Sequence, residues 1–123
     1  MAYASTVAVS RAGDRVRVTV TETDADATTE ATLEIGQQYL TLLSQEFKQS
    51  AGGAGGFTPS LSTKSAGTAG DGLLYTSGDS TGILNSRINV QAYSADGKYY
   101  HRAEAARLDD NDLVTVYTFK IGW

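Results

Sequence analysis

The chain has 123 residues, enough for one hydrophobic core that takes up roughly two-thirds of the surface of the unfolded chain, and it carries a net charge of −4 with a pI near 4.8. Its ten Lys and Arg are scattered from Arg11 to Lys120, which excludes the clustered positive surface a phosphate backbone demands, so no direct nucleic-acid partner is expected. The lack of cysteine excludes a disulfide framework, a thiolate zinc site and a cysteine nucleophile, and no apolar run or leader-like N-terminus is present, so a soluble, unprocessed chain without a membrane helix is expected.

Thirteen glycines and an excess of Thr, Ser and Ala favour strands joined by turns. Segments 3–12 and 14–23 flank Gly13, and Val16, Val18 and Val20 alternate with Arg15, Arg17, Thr19 and Thr21, the period-two pattern of a half-buried strand. Gly13 is able to take the positive φ of a tight hairpin turn. Asp24 to Ala27 reads as a second turn, and alternation resumes over 28–35 with Leu33 and Ile35 on one face.

Segment 37–50 supports two readings. Tyr39, Leu40, Leu43 and Phe47 fall at helical spacing, while Tyr39, Leu43 and Phe47 also share one face of an extended chain. The Gly-rich loop 51–56 before Phe57, Thr58 and Pro59 favours strand, as one arm of a long hairpin. Residues 62–82 read as a Gly- and Ser-rich surface excursion with a short strand at Leu73, Leu74 and Tyr75.

Order returns over 83–93, where Ile88, Val90 and Ala92 alternate with Asn89, Gln91 and Tyr93. Asp96 and Gly97 then give the strongest short hairpin signal in the chain, leading into 98–105. In 113–123, Tyr117, Phe119 and Ile121 share one face and Val114 and Val116 the other, which predicts a central strand covered on both sides. The expected fold is a single all-β domain over 1–123, an antiparallel β-sandwich or jelly-roll-like domain of about seven or eight strands with loop excursions at 51–56 and 62–82.

No catalytic constellation emerges from the residue types, so the chain is read as a non-enzyme without a cofactor or metal. His101 is the sole histidine and lies inside a predicted strand without a G-x-S-x-G elbow, which favours a solvent-facing or subunit-contact histidine. Asp109, Asp110, Asn111 and Asp112, with Asp24 and Asp26, offer oxygen ligands but lack the EF-hand order, so a turn is the simpler reading. Glu22, Glu30, Glu34, Glu46 and Glu104 are spread through alternating polar positions and are expected on solvated faces. Tyr75, Tyr93, Tyr99, Tyr100, Tyr117 and Trp123 suit either a contact surface or sheet packing.

The stretch 16–35 (VRVTVTETDADATTEATLEI), the Gly-rich loop before Phe57, Thr58 and Pro59, and the closing 114–121 (VTVYTFKI) resemble small β-rich virion proteins of tailed bacteriophages, in particular capsid cement or decoration proteins. The resemblance implies a structural protein, assembled in the host cytoplasm, on the outer surface of the capsid. It implies a homo-oligomer, a trimer, that bridges major capsid protein or other virion subunits and stabilises the shell. Candidate arms toward the shell are 1–6, 51–58 and 65–81, and candidate partner or oligomer contacts are Tyr3, Phe57, Leu73, Leu74, Tyr75, Tyr99, Tyr100 and Trp123. A tail or head-fibre component and a carbohydrate-binding or adhesive β-sandwich are the alternative readings.

Overall fold

The computed structural model describes residues 3–25, 27–50, 57–64, 73–76, 83–105 and 111–123. Within them lie nine strands: β1 (Ala4–Ala12), β2 (Arg15–Ala25), β3 (Thr29–Glu34), β4 (Tyr39–Ser50), β5 (Phe57–Ser62), β6 (Leu73–Thr76), β7 (Ile83–Tyr93), β8 (Lys98–Ala105) and β9 (Asn111–Ile121). They form two antiparallel sheets, β1-β2-β9-β4-β7 and β3-β8-β5-β6. The result is an all-β sandwich, and no helix of the described residues is long and apolar enough to cross a membrane. The ambiguous segment 37–50 is a strand from Tyr39 onward.

The alternation in the sequence sets which side chains enter the core. Val16, Val18 and Val20 of β2, Leu33 of β3, and Tyr117 and Phe119 of β9 are buried, with Ile35 just past β3 joining them. In β4 the alternation breaks. Leu40 and Leu42 point inward, a bulge between Leu42 and Ser44 adds one residue, and Gln45 and Phe47 point inward after it. The expected shared face of Tyr39, Leu43 and Phe47 is therefore corrected: Phe47 is buried, Leu43 half-buried and Tyr39 exposed on the outer surface. Strand β9 is central in its sheet, as predicted, but Val114 and Val116 on its outer face are only half-buried.

The turns behave in two ways. Gly13, at φ +61, occupies the first position of a two-residue turn closed by Ala12 and Arg15, so β1 and β2 form a true hairpin. The Asp96-Gly97 turn does not make the predicted hairpin, because β7 and β8 lie in different sheets, and the predicted long hairpin across 51–56 likewise fails because β4 and β5 do. Residues 94–97 instead form a corner that packs on a second corner, 35–38, which carries the chain from β3 to β4. The Gly36 amide donates to the Gly97 carbonyl at 2.9 Å and the Ser94 amide to Gln38 at 2.9 Å. Asp96 secures the corner by accepting the Lys98 amide, and the Ser94 hydroxyl donates to the Lys98 carbonyl.

These stacked corners leave no room for a side chain. A Cβ on Gly97, at φ +72, would lie 2.8 Å from the Gly36 Cα, whereas one on Gly13 would meet nothing within 4 Å. Gly97→Ala is expected to cost roughly 3 kcal/mol, from left-handed backbone plus a backbone clash. Gly13→Ala carries the conformational part alone, about 1–2 kcal/mol. Urea unfolding midpoints of the two variants check the difference, and equal losses would mean the corners do not stack as described.

Candidate functional site

Two groupings of functional side chains stand out, one inside the sandwich and one on its surface. Inside, the core divides into two apolar clusters. One contains Val20, Leu42, Leu61, Tyr99 and Tyr117, the other Ala25, Phe47, Phe57, Ala103 and Leu113. On β2, β4, β8 and β9 the residue between the clusters is polar: Glu22, Gln45, His101 and Thr115, all buried. Each lies on the apolar parity of its strand, so together they form a polar belt across the core.

The belt is wired from sheet to sheet. The Tyr117 hydroxyl lies 2.7 Å from His101 Nδ1, receives the Gln45 Nε2 proton at 3.0 Å and donates to the Ser60 carbonyl at 3.2 Å. His101 Nε2 faces Glu22 Oε1 at 3.4 Å, and the Tyr3 hydroxyl donates to Glu22 Oε2 at 2.9 Å. The imidazole thus sits between the two groups, its Nδ1 paired with the Tyr117 hydroxyl and its Nε2 at ion-pair distance from Glu22 without hydrogen-bond geometry, while the hydroxyl also takes the Gln45 proton. Burial opposes the charge on Glu22, but His101 beside it, aided by the Thr29 and Tyr3 hydroxyls, holds its carboxyl below the usual value of 4.5. Burial pushes the Tyr117 hydroxyl pKa strongly upward. Glu22 and His101 have no exposed side-chain surface, so the belt is an internal clamp between sheets.

The surface grouping sits at the corner end. Tyr39 of β4 and Tyr93 of β7 are cross-strand partners on the outer face, with ring centroids 5.1 Å apart. Gly122, at φ +83, turns the chain beyond β9 so that Trp123 meets Tyr39 edge-on at 5.2 Å. The indole N–H donates to the Ala92 carbonyl at 3.1 Å, which fixes the ring. Tyr39, Tyr93 and Trp123 are 48%, 49% and 57% exposed. Beside them a concavity of about 590 Å³ is lined by Gly36 to Tyr39, Ala95 to Gly97, Ile121 and Gly122. Rigid aromatic faces next to a recess lined by amide side chains and backbone suit the binding of a complementary surface.

The eight candidate contact residues divide accordingly. Trp123 is exposed, and Leu73 is exposed on β6, with Leu74 and Tyr75 half-buried against the core. Tyr3 is exposed but committed to Glu22, and Tyr100 is half-buried. Phe57 and Tyr99 are corrected: both are completely buried, because Phe57 begins the inward alternation of β5 and Tyr99 that of β8. Of the two readings open for Tyr117, sheet packing fits its place in the interior, and His101 and Glu22 are interior rather than solvent-facing.

Of the candidate arms, 4–6 belong to β1 and 57–58 to β5, while 1–2, 51–56, 65–72 and 77–81 lie outside the described residues, as do Asp26, Asp109 and Asp110. Asp112 accepts the backbone amide of Asp24 at 3.2 Å, and no three acidic or histidine side chains converge among the described residues. Sequence reasoning missed Tyr39, whose outward direction depends on the β4 bulge. It also missed the belt, although Glu22 and His101 both sit at inward parity. Compared with known proteins, the chain matches no family model, no curated protein and no solved structure.

Tyr117→Phe strips the belt of its central hydroxyl and leaves His101 Nδ1 and Gln45 Nε2 unpaired in the core, an expected loss of about 3 kcal/mol in urea unfolding. A loss below about 1 kcal/mol would mean the belt is not the clamp described. Because the Glu22 carboxyl is more acidic folded than unfolded, its contribution is complete above pH 4.5 and is lost as pH falls through the lower folded value. Glu22→Gln should therefore flatten the acid side of the stability profile, measured as unfolding midpoint against pH.

Proposed function

We propose that this chain is a structural module of a tailed-phage virion that docks on the outer surface of an assembled capsid and stabilises it. Its partners are the major capsid protein or adjoining virion subunits. The resemblance of 16–35 and 114–121 to capsid cement and decoration proteins motivates the reading. The observation that carries it is the exposed cluster of Tyr39, Tyr93 and Trp123 at the corner end.

The physics of such a role is mass action. A module that binds only the assembled lattice lowers the free energy of that state, and copies engaging several sites at once turn weak contacts into firm ones. Binding of this kind favours a surface that is ordered beforehand, because little conformational freedom is then lost on docking. The aromatic cluster has that property: Tyr39 and Tyr93 are set by paired strands and Trp123 by its bond to Ala92. Exposed aromatics held in this way are the usual anchors of an interface, surrounded by contacts of smaller weight.

A second reading is favoured by the same surface. Aromatic faces beside a recess containing Gln37, Gln38 and Asp96 suit the apolar faces and hydroxyls of a sugar, as in a carbohydrate-binding or adhesive β-sandwich.

Co-sedimentation with undecorated phage heads separates these readings. The wild type is expected to pellet with heads at regular occupancy, and Tyr39→Ala combined with Trp123→Ala to weaken binding by roughly thirtyfold with the unfolding midpoint unchanged. Presence on tails with absence from tailless heads would overturn the capsid reading in favour of a tail or fibre component. A glycan-array signal that the same double variant abolishes, without head binding, would establish the sugar reading instead.

A further inference from the structure

We infer that β1 is the pairing edge of a two-fold homodimer, in which it joins antiparallel to β1 of a second copy and fuses two five-stranded sheets into one of ten strands. The inference does not rest on the virion reading, and a two-fold dimer replaces the trimer that the resemblance implies.

Among the described residues, β1 is the one long edge of the sandwich without protection. Edge strands invite pairing with other chains, and proteins blunt them by shortness, charge, proline or bulges. Among the described residues the other three edges show such devices. Strand β6 has four residues, β3 has six and exposes Glu30 and Glu34, and β7 exposes Arg87 and pairs with β4 through a bulge. Strand β1 has nine residues, pairs with β2 in unbroken register, contains no proline, and bears Arg11 as its sole charge, near one end. All nine residues are exposed.

The exposure extends to its inward side. Val7 and Val9 are register partners of Val20 and Val18, so they continue the core-facing valine stripe of β2, yet they remain 39% and 40% exposed. Strand β1 therefore projects beyond the cover of the second sheet and presents apolar surface. It is not a loose arm: the Tyr3 hydroxyl holds Glu22 just before the strand, and the Arg11 guanidinium donates to the Ile35 carbonyl near its end.

The strand's own sequence names a second copy as the occupant. An isologous contact must be self-complementary, residue i facing j and j facing i. Antiparallel pairing centred on Ala8 sets Val7 opposite Val9 of the other copy, Thr6 opposite Ser10, Ser5 opposite Arg11 and Ala4 opposite Ala12. No like charges face each other. The outer face near the axis carries only Thr6, Ala8 and Ser10, small enough for close approach. The four valines form one apolar patch on the inner face. Nine residues paired in this way add about eight backbone hydrogen bonds, within the usual range of about ten for a protein interface.

The test is the mass of the purified full chain by sedimentation equilibrium and native mass spectrometry. The wild type is expected to be a dimer. Variants V7K/V9K and V7E/V9E should each be monomers with wild-type circular dichroism, and mixing them should restore a one-to-one heterodimer. Should those variants fail to fold, A8C keeps the test decisive: facing its own copy at the axis in a chain without other cysteines, it should oxidise to a covalent dimer, whereas A95C at the corner should not. A monomeric or trimeric wild type, a dimer indifferent to V7K/V9K, or cross-linking by A95C and not A8C would overturn the inference.

Discussion

Burying a carboxylate, an imidazole and a phenol between two sheets imposes a stricter condition than burying valines. Apolar contacts tolerate small slides, but a buried polar group without a partner costs more than most single contacts contribute. The belt of Glu22, His101, Tyr117 and Gln45 draws on β2, β8, β9 and β4, with the Ser60 carbonyl of β5 completing it. Slipping any of these strands by one residue turns its polar group outward and an outward side chain into the core. The belt thereby fixes the register of both sheets against each other. The rest of the sandwich, including the aromatic end and the exposed edge, is positioned by that lock.

Such a lock trades stability for uniqueness. A buried ion pair is often no more stabilising than well-packed apolar residues of the same volume, and its better-attested role is to specify one arrangement. Here the two flanking apolar clusters supply the burial, while the belt selects among the ways they might be stacked. The arrangement also makes the sandwich sensitive to acid, since the Glu22 carboxyl keeps its charge only while His101 and the neighbouring hydroxyls hold it.

A rigid sandwich with its exposed aromatic and edge features at its margins is the outcome. The corner end owes its shape to two sheet-to-sheet connections stacked at Gly36 and Gly97, and the aromatic cluster rests beside them. The opposite lateral margin is β1, held in place by Tyr3 and Arg11 and, among the described residues, open along its length. The proposed structural role would use the first as an anchor for a foreign surface, and the inferred dimer the second as an edge for a like one. Neither requires the core to move.

The sequence by itself determined the all-β class, most strand positions and the inward sets Val16, Val18, Val20 and Leu33, Ile35, because period-two alternation is a local property that one strand carries alone. It also located turns at Gly13 and Gly97, since positive φ is a local demand. It did not determine which turns are hairpins and which are corners, because the Asp96-Gly97 geometry serves either, and the choice depends on where the next strand finds a partner. The outward direction of Tyr39 depended on a bulge that only the ladders with β7 and β9 require. The belt was legible only in part: Glu22 and His101 stood at inward parity, but a charge there acquires its meaning from the group that meets it, and those partners lie on strands 79 residues apart for the ion pair and on the opposite sheet for the phenol. Long-range pairing decides such matters, and it exists only once the two sheets have closed on each other.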